Sequence, residues 1–431
     1  MSAAENVGQP SSKPAERRTA GRPLRVVVLG MMGRMPLAGV VWQVLHYLEG
    51  FRRLGFDVYY VEDTGAWPFD PEQNTVTDDC TYAVNYLGQL MTVYGLSDRW
   101  AYHAAAPQKR TFGLSESQLL AVLAGADALI NLTGSTVLRD EHMRVPVRVY
   151  LETDPVLPQI EVARGNPSYL DLLAAHTHHF TYGENLGAPD CGVPIERFHY
   201  RATRQPIVLD WWRPSSPSSV NGNPVPSAGC FTTVANWRQS GKDFHWNGET
   251  YTWSKHLEFQ KFIDLPRRTL QPLELAVALK SKTDMERGGW VFSSEEDAET
   301  IRLLTAHGWR VVNAMPLSKE VLPYRDYILR SRGEFTVAKD QNVRLRSGWF
   351  SDRSACYLAA GRPVVTQDTR FGKFLPTGSG LFAFNTMEEV LAAFESINYD
   401  YEKHSRAALA LGEEYFRAET VLEQLVEDSG M

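Results

Sequence analysis

The sequence predicts an α/β protein built from two doubly wound domains that face each other across a cleft. The chain has 431 residues, which is more than one compact core usually holds. Short apolar runs of strand length alternate with helix-periodic segments, a pattern typical of a parallel sheet covered on both faces. Residues 212–229 interrupt this alternation with a stretch dense in Pro, Ser, Gly and Asn, the composition of an interdomain linker.

The first domain is predicted over residues 24–211. It opens with the apolar run PLRVVVLG, the Gly-containing loop MMGRMPLAG, the helical stretch VVWQVLHYLEGFRRLG and the second run FDVYYVED, which together form a β-α-β unit. The alternation continues with ESQLLAVLAG, ADALINLTG, VPVRVYLETD, PSYLDLLAAH and THHFTYGEN. This succession predicts a parallel sheet with helices on both faces.

The second domain is predicted over residues 230–410, followed by a C-terminal helix over 411–431 for which packing back on the first domain is one arrangement. Its predicted strands are CFTTVAN, LELAVAL, WRVVNAMP, EFTVAK and PVVTQ. Between the first two strands, Asn247-Gly248 is a turn signal that predicts a β-hairpin. Two such domains place the carboxyl ends of two parallel sheets opposite each other, and ligands of open α/β sheets bind there.

Composition and charge favour a small-molecule ligand. Apolar residues make up 43% and charged residues 22%, and the formal net charge of −7 gives no reason to expect nucleic acid or an anionic membrane as partner. The four cysteines have no metal-ligand spacing, so we expect reduced thiols and no metal. No run is long enough to span a membrane and no signal-peptide core is present, which predicts a cytoplasmic protein. A monomer or homodimer is expected. Residues 1–23 have the composition of a disordered tail.

Several segments resemble motifs of the GT-B glycosyltransferases, enzymes with two facing Rossmann-like domains. YLAAGRPVVT resembles the EAMAxGxPVV helix-turn-strand of retaining members, and the preceding SGWFS resembles their EGFGL turn. CGVPIERFHYRATRQPIVLDWWRP is similar to GVPxEKxxVIPNGVDxxxF before the interdomain linker, and TVANWRQSGK is similar to VGRLxxxKG after the first strand of the second domain. The opening from LGMMGRMPLAG to VYYVED resembles the acceptor-side β-loop-α-β unit. The resemblance covers most of residues 24–425.

The resemblance implies a metal-independent transferase that moves a sugar from a nucleotide diphosphate donor, held mainly by the second domain, to a small-molecule or glycan acceptor. The paired glutamates of the family fall near Ser347 and at Cys356 here, so Asp352 and Asp368 are the candidates to replace them. A nucleotide-sugar 2-epimerase of the same fold and a non-catalytic sugar-nucleotide binding protein stay open as alternatives. A redox enzyme is less favoured because GMMGRMPLAG departs from GxGxxG. The use of Ala and Arg resembles that of actinobacterial proteins and favours a bacterial natural-product or envelope setting.

The donor-site candidates follow from this resemblance and from the chemistry of a leaving diphosphate. We expect the Ser347-Gly348 turn to open a helix whose positive end suits a diphosphate, although an ordinary helix cap is the alternative. Gln367 and Asp368 end the last strand of the motif, where they suit sugar hydroxyls. Cations offset the charge of the leaving group, with surface charge as the alternative for Arg238 and Lys242. The full candidate set is Arg238, Lys242, Lys339, Ser347, Gly348, Trp349, Asp352, Arg353, Gln367, Asp368 and Thr369, with Arg344 and Arg346 close behind Lys339.

On the acceptor side, Glu152 and Asp154 end a strand and are expected to face the cleft as catalytic carboxylates. Asp154 is the preferred candidate for a general base or for stabilising an oxocarbenium-like transition state, with a helix N-cap before Pro155 as the alternative. Acceptor-binding candidates are Gly33, Arg34, Glu184 and Asn185.

Two conspicuous groups of side chains favour structural roles. His176, His178 and His179 lie at the start of a strand, where alternation separates neighbouring side chains onto opposite faces and disfavours a metal site. The aromatic residues of the predicted hairpin suit hairpin packing, with stacking on a sugar or aglycone ring as the alternative. These aromatic residues are Trp237, Trp246, Tyr251 and Trp253.

Overall fold

The architecture was examined in a computed structural model of the chain. It describes residues 22–213, 219–220, 223–224, 229–239, 241–278, 281–284, 289–292 and 295–431. The predicted disordered tail lies outside the described residues except for its last two, and Arg22 pairs there with Asp127 at 2.8 Å. Most of the predicted linker over 212–229 also lies outside the described residues.

The strands of the first domain form a doubly wound sheet. Its order is β10-β9-β8-β7-β1-β2-β5-β6, in which every neighbouring pair is parallel except β5 and β6. The short pair β3 and β4 forms a separate antiparallel hairpin. The strand bounds are β1 Arg25–Leu29, β2 Asp57–Glu62, β3 Phe69–Asp70, β4 Thr75–Val76, β5 Trp100–His103, β6 Thr111–Gly113, β7 Ala128–Leu132, β8 Val147–Glu152, β9 His178–Thr181 and β10 Tyr200–Ala202.

Helices connect the parallel strands of this sheet. Residues Val26 to Leu29 of the central strand are fully buried, as expected of a strand covered on both faces. The helix bounds are α1 Ala38–Arg53, α2 Thr81–Val93, α3 Glu116–Ala124, α4 Asp140–Met143, α5 Leu157–Ala163 and α6 Pro167–Ala174.

The second domain holds a six-stranded, fully parallel sheet in the described part of the chain. Its order is β19-β16-β13-β20-β21-β22, so the strand order reverses between β13 and β20. Three antiparallel pairs, β11-β12, β14-β15 and β17-β18, lie outside this sheet. The strand bounds are β11 Ser219–Val220, β12 Asn223–Pro224, β13 Phe231–Asn236, β14 Phe244–Trp246, β15 Glu249–Tyr251, β16 Leu273–Ala278, β17 Ser281–Asp284, β18 Gly289–Phe292, β19 Arg310–Asn313, β20 Gly333–Thr336, β21 Val364–Gln367 and β22 Leu381–Phe384.

The predicted hairpin between the first two strands of the second domain is confirmed as β14 and β15. Asn247 and Gly248 both have positive φ, at 49° and 80°, which the two central positions of this tight turn require. The helix bounds of the domain are α7 His256–Gln260, α8 Leu265–Arg268, α9 Glu295–Ala306, α10 Ala314–Ser318, α11 Val321–Arg330, α12 Asp340–Arg344, α13 Asp352–Ala359, α14 Met387–Tyr399, α15 Tyr401–Tyr415 and α16 Ala418–Ser429.

The chain crosses back to the first domain at its end. Phe416 and Ala418 exchange backbone hydrogen bonds with Ile207 at 2.7 and 2.9 Å. Helix α16 then packs on α1, where a Cβ at Gly50 would lie 2.4 Å from the Leu422 side chain. The absence of a side chain at Gly50 therefore lets the last helix of the chain approach the first.

A second interdomain contact is apolar. The β14-β15 hairpin packs against α5 of the first domain through Phe244 and Tyr251 on one side and Val156 and Ile160 on the other. This contact closes the cleft along one side.

Among the described helices, none is long and apolar enough to cross a membrane.

Candidate functional site

The carboxyl ends of the two sheets face each other across a cavity of about 370 Å³. This volume falls within the range of about 300 to 1,000 Å³ typical of small-molecule sites. The first domain contributes Leu37 from the loop after β1, Gly39 from the start of α1 and Asp154 from the loop after β8. The polar side chains that line the cavity from the second domain are Asn236, Gln239, Lys255, Ser318, Tyr324, Lys339, Asp352 and Arg353.

An ion pair joins the two walls of the cavity. Lys339, directly after β20, donates from its Nζ to Asp154 Oδ2 of the first domain. The same ammonium lies 3.2 Å from the centroid of the Trp253 ring, an arrangement that favours a cation. Burial lowers the pKa of Lys339, and the Asp154 carboxylate opposes that shift. Two predicted residues from different domains are therefore in direct contact.

Arg353 is held rigidly at the ends of two central strands. Its guanidinium donates to Glu334 Oε1 at 2.6 Å, to the Val234 carbonyl at 2.7 Å and to Thr336 Oγ1 at 3.0 Å. Although burial opposes it, the Glu334 carboxylate raises the pKa of Arg353. The side chain is thus a fixed positive charge in the cavity wall.

Lys255 is a charged residue of the cavity wall that sequence reasoning missed, as it also missed the uncharged polar residues Asn236, Gln239, Ser318 and Tyr324. Its Nζ lies 5.4 Å from the Trp349 ring centroid and makes no hydrogen bond or ion pair with the residues that the structure describes. Burial lowers its pKa to about 7, and the charges of Arg353 and Lys339 act in the same direction. No motif marks this lysine, which lies between the β14–β15 hairpin and α7 in the sequence.

The turn formed by Ser347, Gly348 and Trp349, called the SGW turn below, does not open helix α13 as expected. Helix α13 begins at Asp352, and the backbone N–H groups of Ser347 and Gly348 already donate to Asn342 O and Thr369 O at 3.2 and 2.7 Å. The Trp349 N–H donates to Ser347 Oγ at 3.3 Å. These three groups are therefore not available to a diphosphate.

Instead, the SGW turn contacts the first domain. Asn185 donates its backbone N–H to Ser347 O at 3.1 Å and its side-chain amide to Arg346 O at 2.8 Å. The Trp349 indole donates to Thr153 O at 2.9 Å. Ser347, Gly348 and Asn185 consequently belong to an interdomain contact beside the cavity.

Asp352, a candidate to replace one of the family's glutamates, lies on the cavity wall. It is the first residue of α13, and it lines the cavity. Burial raises the pKa of its carboxyl group, and the charges of Arg353 and Lys255 partly offset that effect. The start of α13, Lys255 and Arg353 therefore lie together on the wall that the second domain contributes to the cavity.

Gln367, Asp368 and Thr369 do not emerge into the cavity. Gln367 is buried; its Oε1 accepts from Ala338 N–H at 3.2 Å, and its Nε2 donates to Glu258 Oε2 at 2.8 Å. Asp368 accepts from the backbone of a turn, and Thr369 Oγ1 donates to Trp349 O at 2.6 Å. The three residues hold loops beside the site and, unlike the expected arrangement, do not line the cavity.

Arg238 and Lys242 are both exposed and do not line the cavity. Arg238 reaches Thr300 Oγ1 at 3.4 Å, and Lys242 lies 4.3 Å from the centroid of the Trp253 ring. Arg344, on α12, pairs with Glu249 of the hairpin. Lys339 and Lys255 thus occupy the place in the cavity that was expected for the Arg238 and Lys242 pair.

Glu152 lies beneath the cavity and does not face it. Its carboxylate is 2% exposed and accepts from Gln159 Nε2 and Thr181 Oγ1, each at 2.8 Å. Burial raises its pKa to about 7. Of the two predicted catalytic carboxylates, only Asp154 lines the described cavity.

The acceptor candidates are dispersed. The N–H groups of Gly33 and Arg34 donate to the Glu62 carboxylate at 2.7 and 2.5 Å, so Glu62 of β2 holds the loop between β1 and α1 in place. Glu184 forms a bidentate pair with Arg204, with both bonds at 2.8 Å, and lines a separate cavity of about 320 Å³.

The contacts of His176, His179 and Trp237 fit the structural interpretation, whereas Trp253 contacts the cavity cation Lys339. His176 Nδ1 and His179 Nε2 each lie 2.8 Å from a backbone carbonyl oxygen, and burial lowers both pKa values, that of His176 to about 4. Trp237 is buried against Phe259, with ring centroids 5.6 Å apart. In the described part of the chain, no group of three or more His, Cys, Asp or Glu side chains is arranged to hold a metal ion.

Several solved structures share the architecture of this chain at low sequence identity. An α-glucosyltransferase in complex with UDP and DNA aligns with a TM-score of 0.55 at 11% identity, covering 95% of this chain and 100% of its own. HepE of Anabaena in complex with UDP and glucose aligns with a TM-score of 0.54 at 11% identity, covering 94% and 99%. Sucrose-phosphate synthase of Thermosynechococcus elongatus aligns with a TM-score of 0.53 at 12% identity, covering 94% and 98%.

These neighbours are GT-B glycosyltransferases, and the likeness shows the fold. The predicted α/β fold with two facing Rossmann-like domains is therefore confirmed. No protein-family model matches the sequence, and no curated protein does.

Proposed function

We propose that this protein is a glycosyltransferase that moves a sugar from a nucleotide diphosphate donor to a small-molecule or glycan acceptor. The observation that carries the proposal is the group of Lys255, Lys339 and Arg353, which meet at the carboxyl ends of the second sheet and face Asp154 of the first domain. Glycosyl transfer releases a nucleoside diphosphate, whose charge grows as the glycosidic bond breaks. Fixed cations in a partly buried cavity stabilise that charge.

Each cation has a distinct part in this proposal. Arg353 is held by Glu334 and supplies a preorganised charge that needs no rearrangement when the donor binds. Lys255 makes no hydrogen bond or ion pair with the described residues, so it can bind a phosphate oxygen without first breaking one. In this proposal these groups stabilise the leaving diphosphate, and the transfer proceeds without a metal ion.

Asp154 is the proposed catalytic carboxylate. It lines the cavity opposite the cations, and its Oδ1 is buried without a hydrogen-bond partner among the described residues. A carboxylate in this place assists the transfer by accepting the proton of the acceptor hydroxyl or by offsetting positive charge at the anomeric carbon. The neighbouring structures with UDP support a nucleotide donor, and the net charge of −7 favours an acceptor other than DNA.

The proposal is tested first by ligand-induced stabilisation. The purified protein is heated with UDP, TDP, GDP or ADP and with their common sugar conjugates, with and without EDTA. A ligand at about 100 times its Kd adds about 2.7 kcal/mol of stability, which a thermal-shift assay resolves. We expect one diphosphate to stabilise the protein regardless of EDTA.

A matched pair of lysine variants connects the stabilisation to the site. Lys255→Met removes the unpaired cation, whereas Lys403→Met removes an exposed cation on α15. We expect the first variant to lose the stabilisation by the diphosphate and the second to keep it. Stabilisation that is equal in both variants, or that appears only with NAD(P), contradicts the proposal.

Turnover separates the proposed function from its alternatives. Incubation with the stabilising nucleotide sugar is followed by NMR for release of the nucleoside diphosphate. A transferase releases it slowly to water and faster with an acceptor. A 2-epimerase instead gives an isomerised sugar, and a binding protein leaves the donor unchanged.

A further inference from the structure

The Asp154–Lys339 ion pair places the candidate catalytic carboxylate and a candidate phosphate ligand in contact with each other. Asp154 follows β8 of the first domain, and Lys339 follows β20 of the second. Both side chains line the cavity, so the pair lies inside the site. A donor that uses Lys339 must therefore compete with Asp154.

Lys339 can exchange partners without leaving its place. Its ammonium lies over the Trp253 ring at 3.2 Å, and Lys242 lies over the same ring at 4.3 Å. The indole fixes the ammonium from one side, while an ammonium has three N–H donors to share among other partners. Lys339 can therefore redirect one of its N–H groups from Asp154 to a phosphate oxygen with little movement of its side chain.

We propose that the Asp154–Lys339 ion pair is a switch that the donor diphosphate opens, so that the Asp154 carboxylate becomes available when the donor is bound. This inference rests on the proposed function and assigns a regulatory contact to the same site. A diphosphate carries more negative charge than one carboxylate and also meets Lys255 and Arg353. It therefore competes successfully for Lys339.

The switch predicts that removing a residue of the site strengthens binding of the diphosphate. If Asp154 competes with the diphosphate for Lys339, then Asp154→Asn removes the competitor and the diphosphate binds more tightly. We expect a gain in affinity of about tenfold, the worth of one charge-assisted hydrogen bond. Lys339→Met removes the shared partner and is expected to weaken binding.

A double-mutant cycle separates competition from simple repulsion between the Asp154 carboxylate and the ligand. Isothermal titration calorimetry with UDP, TDP, GDP and ADP is performed on the wild type, Asp154→Asn, Lys339→Met and the double variant. Competition requires that Asp154→Asn tightens binding in the wild type and has no effect once Lys339 is Met. Repulsion alone requires the same gain in both backgrounds, and that result overturns the switch.

Asp190→Asn serves as the matched control. Asp190 of the first domain also pairs with a lysine of the second, Lys373, but this pair does not line the cavity. We expect the control to bind the diphosphate as the wild type does, and equal tightening in the control overturns the switch. Thermal unfolding of each variant without ligand establishes that it is folded.

The switch and the proposed function fail in different ways. If a diphosphate binds the wild type and Asp154→Asn leaves its affinity unchanged, the switch is overturned and the donor site stands. If no diphosphate binds either protein, the proposed function is overturned and the switch with it. Tightening that depends on Lys339 supports both.

Discussion

Gly348 lies where the second domain closely approaches Asn185 of the first domain, beside the cavity. Its φ is 77°, and a Cβ built there would lie 2.4 Å from the backbone nitrogen of Asn185 and 2.8 Å from its Cβ. Because the first obstacle is backbone, no side-chain rotation relieves it. Gly348→Ala must therefore push the two domains apart locally.

The magnitude follows from two contributions. Placing Ala at positive φ costs about 1–2 kcal/mol, and forcing an extra methyl group into a packed contact costs about 1–3 kcal/mol. We expect Gly348→Ala to lower the free energy of unfolding by about 2–5 kcal/mol. Gly378→Ala is the matched control, because its φ is 93° and nothing lies within 4 Å of its added Cβ.

Urea denaturation followed by tryptophan fluorescence measures both variants against the wild type. We expect the control to lose only the backbone contribution and Gly348→Ala to lose clearly more. Equal losses in the two variants would refute the close interdomain contact between Gly348 and Asn185. The same comparison of diphosphate affinity reports whether this contact sets the width of the cavity.

Three further predictions concern buried or partly buried groups. Burial raises the pKa of Glu62 to about 7, above its value in the unfolded chain, so the folded protein holds this proton more strongly. As the pH rises from about 5 to 8, the free energy of unfolding of the wild type should therefore fall by up to about 3 kcal/mol relative to that of Glu62→Gln. Lys255 has a pKa of about 7 in the free protein, so diphosphate affinity should fall above that pH, and calorimetry in several buffers should show proton uptake. Gln367→Ala removes the amide that donates to Glu258 Oε2, leaves Lys261 on Oε1, and should cost about 1–3 kcal/mol of stability while weakening sugar-bearing and bare nucleotides equally.

Each of these predictions has a contradicting result. A stability difference between wild type and Glu62→Gln that stays constant from pH 5 to 8 contradicts the raised pKa. Proton uptake that persists in Lys255→Met assigns the linkage to another group. Selective loss of the sugar-bearing nucleotide in Gln367→Ala would restore its predicted role in sugar recognition.

The sequence alone determined the architecture, because the signals for it are local. A continuous apolar run such as Val26–Leu29 fits a strand buried on both faces, and Asn247-Gly248 fits a turn that needs two positive φ angles. Such patterns need no knowledge of distant residues. The alternation of strands and helices then gave two doubly wound domains and the edges of the sheets where a ligand binds.

The tertiary structure decided which side chains reach that edge. Gln367 ends its strand as predicted, yet Glu258 and the Ala338 N–H hold it beneath the surface. Lys255 carries no motif, yet the fold places it on the cavity wall beside Asp352 and Arg353 of α13. The pairing of Asp154 with Lys339 depends on how two separately encoded domains meet, and the pattern within either domain does not contain that information.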